Sequence, residues 1–198
     1  MTFKKNTKTI VIIVVLVALC LSYYFYLSNR NMTAAKIEQQ AQQNTESLAS
    51  TLVVRNILNN YPSSPKEVLS LYARLTKAFY NTDTTPDQIE PLGKQARLLY
   101  DDELKSKQTE EEYTIALQKD VDEFKALNRY VSDFTVDGSS GIEYKVIDGR
   151  ECAVGTVVYY IREGSKLQIS YHSYKLRKDA AGHWKILYWE LTTAKQTN

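Results

Sequence analysis

His172 is the residue of this chain best equipped for proton chemistry. It lies in "KLQISYHSYKLR" (166–177), a run whose alternation reads as a strand, so Ser170 and Tyr174, two positions to either side, share its face. An imidazole between a hydroxyl and a phenol can serve as general base or acid in a polar pocket. Tyr160, on the preceding strand-like run, joins Ser170, His172 and Tyr174 in the candidate set. The group that would aim the imidazole is missing locally. No acid stands two positions from His172, so a base–orienter pair needs a carboxylate from another element. The simpler reading is a half-buried strand histidine bonded to a neighbour.

Other chemistries find less support. His183 stands beside a turn and is expected in solvent. Two histidines eleven residues apart and one outer cysteine, Cys152, lack a zinc-ligand spacing, so no metal and no cofactor is expected. The seven glycines form no phosphate-binding loop. Cys152 is read as a small buried apolar residue. The acids Glu110, Glu111, Asp122 and Glu123 read as the solvated face of a helix rather than an acid–base pair. Without a catalytic set, the chain is expected to be no enzyme.

The aromatic content points elsewhere. There are fifteen tyrosines in 198 residues. Tyr159, Tyr160, Tyr171, Tyr174, Tyr188 and Trp189 crowd onto adjacent strand-like runs, and alternation sends some of them to the outer sheet face. Tyr and Trp there suit an interface.

Charge removes nucleic acid from the partners. The pI of about 8.3 comes from Lys4, Lys5, Lys8 and Arg30, four cations without an acid in the first 30 residues. The remainder carries 21 basic and 23 acidic groups, too even a balance for phosphate-backbone binding. Residues 101–123 hold nine acids against three bases, and 160–190 hold six bases against three acids. One copy's third helix could therefore meet another's basic hairpin, which leaves a homo-oligomer open.

The elements that must position these residues follow from periodicity. "IVIIVVLVALCLSYYFYL" (10–27) is uncharged and reaches roughly 27 Å as a helix at about 1.5 Å per residue. Its end, Tyr23 to Tyr26, forms an aromatic belt. Large residues where a signal peptidase needs small ones, and Leu19 before Cys20, favour an uncleaved anchor over a cleaved or lipoprotein signal. The lysines before it predict a cytoplasmic N-terminus (1–9) and a domain outside the cell membrane. Residues 28–60 read as a helical stalk, coiled coil or solvated spacer, with Leu52, Val53, Ile57 and Leu58 docking on the domain and Asn59 to Pro62 stopping the helix.

The domain, 61–194, begins with three helices, each opened by a capping box: "SPKE" (64–67), "TPDQ" (85–88) and "TEEE" (109–112). Their stripes are Val68, Leu71, Tyr72, Leu75 and Phe79; Ile89, Leu92, Ala96 and Leu99; and Tyr113, Leu117, Val121, Phe124 and Asn128. Pro91 should kink or restart the second helix. The period then changes to two in 130–136, 142–147, 151–162, 166–177 and 183–193, with Asp148-Gly149 marking a hairpin. Helices followed by an antiparallel meander make an α+β domain, with three helices packed on one face of a curved antiparallel sheet.

This order, with Gly182, Trp184, Lys185 and Ile186 in the closing "GHWKI", resembles the nuclear-transport-factor-2-like (NTF2-like) fold, the cystatin-like cone. The resemblance makes Gly182, Trp184 and Ile186 fold-defining. It also implies a cone able to enclose a pocket, used in some members for isomerase or dehydratase chemistry by Asp, His and Tyr. "NYPSSPKEVLSLYARLTKAFYN", "QARLLYDDEL" and "GHWKIL" resemble an uncharacterised family of single-pass membrane proteins of Gram-positive anaerobes, over most of 60–190. The architecture is also similar to the outer domain of VirB8-type secretion-channel scaffolds. The expected function is a membrane-anchored, extracytoplasmic, non-enzymatic interaction module with a protein partner. The alternatives are a VirB8-like component of a conjugation or type IV secretion channel, and a small-molecule or isomerase/lyase pocket in the cone.

Overall fold

The computed structural model describes residues 48–193. The expected basic tail, membrane helix and stalk up to residue 47 lie outside the described residues. Among the described residues no helix is long and apolar enough to cross a membrane.

The described chain opens in a helix that runs to residue 53 (α1). It stops before Asn59, because a tight turn intervenes. Arg55 N–H donates to the Leu52 carbonyl at 3.3 Å, and the Asn56 side chain accepts from Asn59 N–H at 3.0 Å, a local bond that competes with helix continuation. Leu52 and Ile57 are buried and Val53 packs on the core, but Leu58 is 68% exposed, against expectation.

Three further long helices stand where their caps predict: α2 (Pro65–Phe79), α3 (Pro86–Leu98) and α5 (Glu110–Ala126). A short turn of helix, α4 (Asp102–Lys105), separates the last two. At α5 the box is reciprocal: Thr109 Oγ1 accepts from Glu112 N–H at 3.2 Å, and Glu112 accepts from Thr109 N–H at 2.9 Å. At α2 Glu67 reaches one residue further back, to Ser63 N–H at 2.8 Å and Ser63 Oγ at 2.9 Å. α3 continues through Pro91 without a restart. The missing N–H deprives only the carbonyl of Asp87, an exposed first-turn residue that water can serve. Asn128 does not extend the α5 stripe; it lies beyond the helix with φ +51°.

Five strands follow within a residue or so of the expected bounds: β1 (Arg129–Val136), β2 (Glu143–Ile147), β3 (Arg150–Glu163), β4 (Lys166–Lys178) and β5 (Trp184–Thr192). They form one open antiparallel sheet in the order β1-β3-β4-β5. A simple meander would pair β1 with β2. Instead both pair with β3, β1 along Val157–Glu163 and β2 along Arg150–Val154. They lie end to end, interrupted by a 3-10 turn at Ser139–Gly141. Opposite the gap, Asp137 N–H donates to Thr156 O at 3.0 Å and Asp137 Oδ2 accepts from Thr156 N–H at 2.9 Å. Ile142 is buried over Gly155, where an added Cβ would come within 2.5 Å of the isoleucine Cδ1. The β2–β3 hairpin turns through Asp148 and Gly149, both with positive φ, as a two-residue loop of matching twist needs.

α2 packs across β1, β3 and β5, while α3 rests on α2 and α5. The face turned to the helices carries Val131, Ala153, Val157, Tyr159, Tyr174, Leu176, Trp184 and Ile186, all buried. After α3 the chain adds an edge contact to the sheet: Ile186 N–H donates to Leu99 O and Asp101 N–H to Ile186 O, both at 2.8 Å. The result is a mixed α+β domain.

Candidate functional site

The registers of β3, β4 and β5 set one column of side chains toward the helices. Tyr159 pairs with Ser170, Val157 with His172, and Gly155 with Tyr174. On the other side His172 pairs with Leu191 and Tyr174 with Trp189. A register shift in β5, where Lys175 faces Tyr188 and Leu176 faces Ile186, reverses its alternation. Ile186 and Trp189, of opposite parity, thereby face the same way. α2 supplies Tyr72, Thr76 and Phe79 at helical spacing, its C-cap supplies Tyr80, and α5 supplies Tyr113, Leu117, Asp120 and Phe124. Tyr100 enters from the edge segment after α3.

These walls enclose a cavity of about 490 Å³. Its deep side is buried and aromatic: Tyr72, Tyr100, Tyr159 and Tyr174. Its mouth is marked by the exposed Gln108, Ala116, Asp120 and Leu191.

The phenols satisfy one another. Tyr72 Oη lies 2.9 Å from Tyr100 Oη, which lies 3.4 Å from Tyr113 Oη, and Tyr159 Oη lies 3.0 Å from Tyr174 Oη. Burial, the largest cause, pushes the pKa of each of these five phenols up, Tyr159 to about 12. All five are therefore neutral at physiological pH.

His172 makes a 3.0 Å hydrogen bond through Nε2 to Ser170 Oγ. Its ring meets Tyr159 edge-on at 5.1 Å and stacks with Tyr174 at 6.2 Å. Desolvation holds its pKa below the usual imidazole value, favouring the uncharged ring. Nδ1 is buried and has no hydrogen-bond partner among the described residues. Among the described residues that line the cavity the one carboxylate is Asp120, at the mouth. The hydroxyl of Ser170, rather than an acid, orients the imidazole. The arrangement can bind a molecule by aromatic contact and a few hydrogen bonds; a carboxylate–imidazole dyad is not part of it.

Of the four candidate pocket residues, His172, Tyr174 and Ser170 line this cavity. Tyr160 does not. It alternates with Tyr159 and points to the opposite sheet face, opposite Ile169, while Tyr159 takes the inner position. His183 is remote from the cavity: its ring meets Tyr61 at a tilt of 39° with centroids 4.5 Å apart, and its Nδ1 lies 3.6 Å from Asp179. Cys152 is buried. Gly182 turns the chain with φ +84°, and Trp184 and Ile186 are in the core. Among the described residues no three His, Cys, Asp or Glu side chains are grouped to hold a metal ion.

Sequence reasoning passed over Tyr72, Tyr100, Tyr113 and Trp189. The first and third fall in apolar stripes, although a phenol at a core position is itself a signal, since its hydroxyl must find a partner. Trp189 had no such signal, because the register shift that turns it inward is invisible in strict alternation. No curated protein matches the chain. Residues 1–189 match the family described as a domain of unknown function, DUF6715, and the chain belongs to that family.

Proposed function

We propose that this protein is a ligand-binding module without covalent chemistry, an NTF2-like cone held outside the cell membrane by the apolar segment 10–27. The observation that carries the reading is the cavity itself. About 490 Å³ is within the range of sites that enclose a small organic molecule. Its aromatic walls provide contact area, and the buried His172 Nδ1 provides a polar atom whose hydrogen bond a ligand can complete. The uninterrupted helices-then-sheet order, and the turn at Gly182 followed by Trp184 and Ile186 in the last strand, support the cone assignment. The lysines before residue 10 support the orientation.

The test is a thermal-shift screen of the full chain in detergent against a chemically diverse set of small molecules. At least one class should raise Tm in the wild type and fail to do so when Ser170→Trp fills the cavity. Absence of any such class would defeat the reading. A far-ultraviolet circular dichroism spectrum of the variant confirms that it is folded.

A second reading, a protein-docking module, is favoured by the outer sheet face. Leu167, Ile169 and Tyr188 are 49, 45 and 40% exposed there, more apolar area than a solvated face requires. Crosslinking in the native membrane with a photoreactive residue in place of Ile169 tests it. A discrete crosslinked band supports docking, and none argues against it.

A further inference from the structure

The cavity has a definite electrostatic character. Among the described residues that line it none is Lys or Arg, and one, Asp120, is acidic. Burial favours the uncharged form of His172, and it also favours the neutral form of the six phenols that line the cavity. The nearby guanidinium of Arg97 lies 5.2 Å from the Tyr113 ring centroid. It is held by the carbonyls of Lys105 and Gln108 at 3.3 and 3.1 Å, and Arg97 does not line the cavity. An anion entering would lose its water and find no countercharge. A cation meets electron-rich ring faces and phenolic oxygens, with a carboxylate at the entrance.

The rings are also grouped. Trp189 is the hub: its centroid lies 6.0 Å from Tyr72, 5.9 Å from Tyr100 and 6.0 Å from Tyr174. Across the cavity Tyr80 and Phe124 pair at 4.5 Å. Such walls are suited to alkylated ammonium groups, which are weakly hydrated and gain from several ring faces at once. Asp120, exposed at the mouth, adds attraction without having to be desolvated.

We infer that the cavity binds a small organic cation, a quaternary or alkylated ammonium carrying a short apolar or hydroxylated tail. This deepens the ligand-binding reading above and rests on it. The hydroxyl of such a tail can complete the hydrogen bond of His172 Nδ1. The cationic head lies against Trp189, Tyr72, Tyr100 and Tyr174, and Asp120 at the mouth attracts it through the field of its charge.

The experiment is isothermal calorimetry on the full chain in detergent with three probes. They are tetraethylammonium, choline, and the uncharged carbon isostere of choline in which a quaternary carbon replaces nitrogen. At least one cation should bind tenfold or more tighter than the isostere. Asp120→Asn should weaken that cation three- to tenfold and leave the isostere unchanged. Trp189→Leu should weaken the cation at least tenfold, with folding checked by circular dichroism. If the isostere binds as tightly as both cations, or Asp120→Asn has no effect on a cation that binds, the cation assignment is overturned while the ligand-binding reading stands. Binding of none of the three at millimolar concentration overturns it as well; the broader thermal-shift screen then decides separately whether the cavity takes any ligand.

Discussion

Arg177 meets Asp101 with a two-pronged contact, Nε to Oδ2 at 3.0 Å and Nη2 to Oδ1 at 2.6 Å. It joins the second-last strand to the segment between α3 and α4, and so clamps the edge contact that brings Tyr100 to the cavity. Asp101 is buried and also caps α4, accepting from Glu103 N–H at 3.0 Å. Burial raises its pKa, but Arg177 and the Glu103 N–H outweigh that and hold the carboxyl below its usual range. Arg177→Met should therefore destabilise the protein by about 3 kcal/mol, since a buried charge loses its partner. Urea denaturation measures the loss. Because the pKa of Asp101 is depressed on folding, the stabilisation is present above the unfolded carboxyl value and disappears as pH falls through the folded one. The wild-type advantage over Asp101→Asn should shrink accordingly in acid. An advantage that persists unchanged at low pH would refute the ionic account.

Gly155 tests how the broken β1–β2 edge is packed. An added Cβ would lie 2.5 Å from Ile142 Cδ1 and 2.8 Å from Leu69 Cδ1, too close for either to remain in place. Gly155→Ala should cost about 1–3 kcal/mol through overpacking. Trimming the obstruction should recover some of this: Gly155→Ala with Ile142→Val should be less destabilised than the two single effects added together. Strict additivity in thermal or urea unfolding would show that the isoleucine is not what occupies the space.

The strands and long helices were legible because local and global signals agree. Ser64, Thr85 and Thr109 cap helices at the expected places, and Asp148-Gly149 joins strands whose alternation is undisturbed. Legibility failed where geometry depends on a distant partner. The end-to-end placement of β1 and β2 follows from Asp137 bonding Thr156 and Ile142 sitting over Gly155, relationships between residues more than ten positions apart. Half of the site was visible: Ser170, His172 and Tyr174 share a face by simple alternation. The other half was not. Trp189 is turned inward by a register shift, Tyr160 was preferred to its inward neighbour Tyr159, and Tyr72 and Tyr100 are joined by a hydrogen bond across 28 positions. Strand alternation says which residues share a face, but which of the two faces is inner is set by the helices that cover it.

The buried phenols predict an alkaline limit. Tyr61, Tyr72, Tyr80, Tyr100, Tyr113, Tyr159 and Tyr174 all have raised pKa values, with desolvation as the largest cause. For a group raised on folding, stability is intact below the unfolded value, about 10 for tyrosine, and is lost as pH rises through the folded one. Titration followed by phenolate absorbance should show these tyrosines still protonated after the exposed ones have ionised, and ionising together only as near-ultraviolet circular dichroism collapses. Full ionisation of all fifteen tyrosines near pH 10 with the fold intact would contradict the burial described.

His172 predicts the opposite limit. Desolvation lowers its pKa on folding, so the unfolded chain takes up its proton first as pH falls. Stability is then complete above about pH 6.5, the usual imidazole value, and declines as pH drops through the lower folded value. The charged or titratable side chains that line the cavity with it are Asp120 at the mouth and the phenols of Tyr72, Tyr80, Tyr100, Tyr113, Tyr159 and Tyr174, and among the described residues no carboxylate accepts a hydrogen bond from its buried Nδ1. Imidazole proton shifts measured by NMR should place the His172 midpoint below 6.5. Tm should fall more between pH 7.5 and 5.5 in wild type than in His172→Gln, which keeps a hydrogen-bonding atom for Ser170 but has no charge to gain. If the inferred cation is bound, it should push the midpoint lower still, because a second positive charge in the same cavity opposes protonation. An upward shift on adding choline or tetraethylammonium would mean that the bound group does not share the cavity with the imidazole.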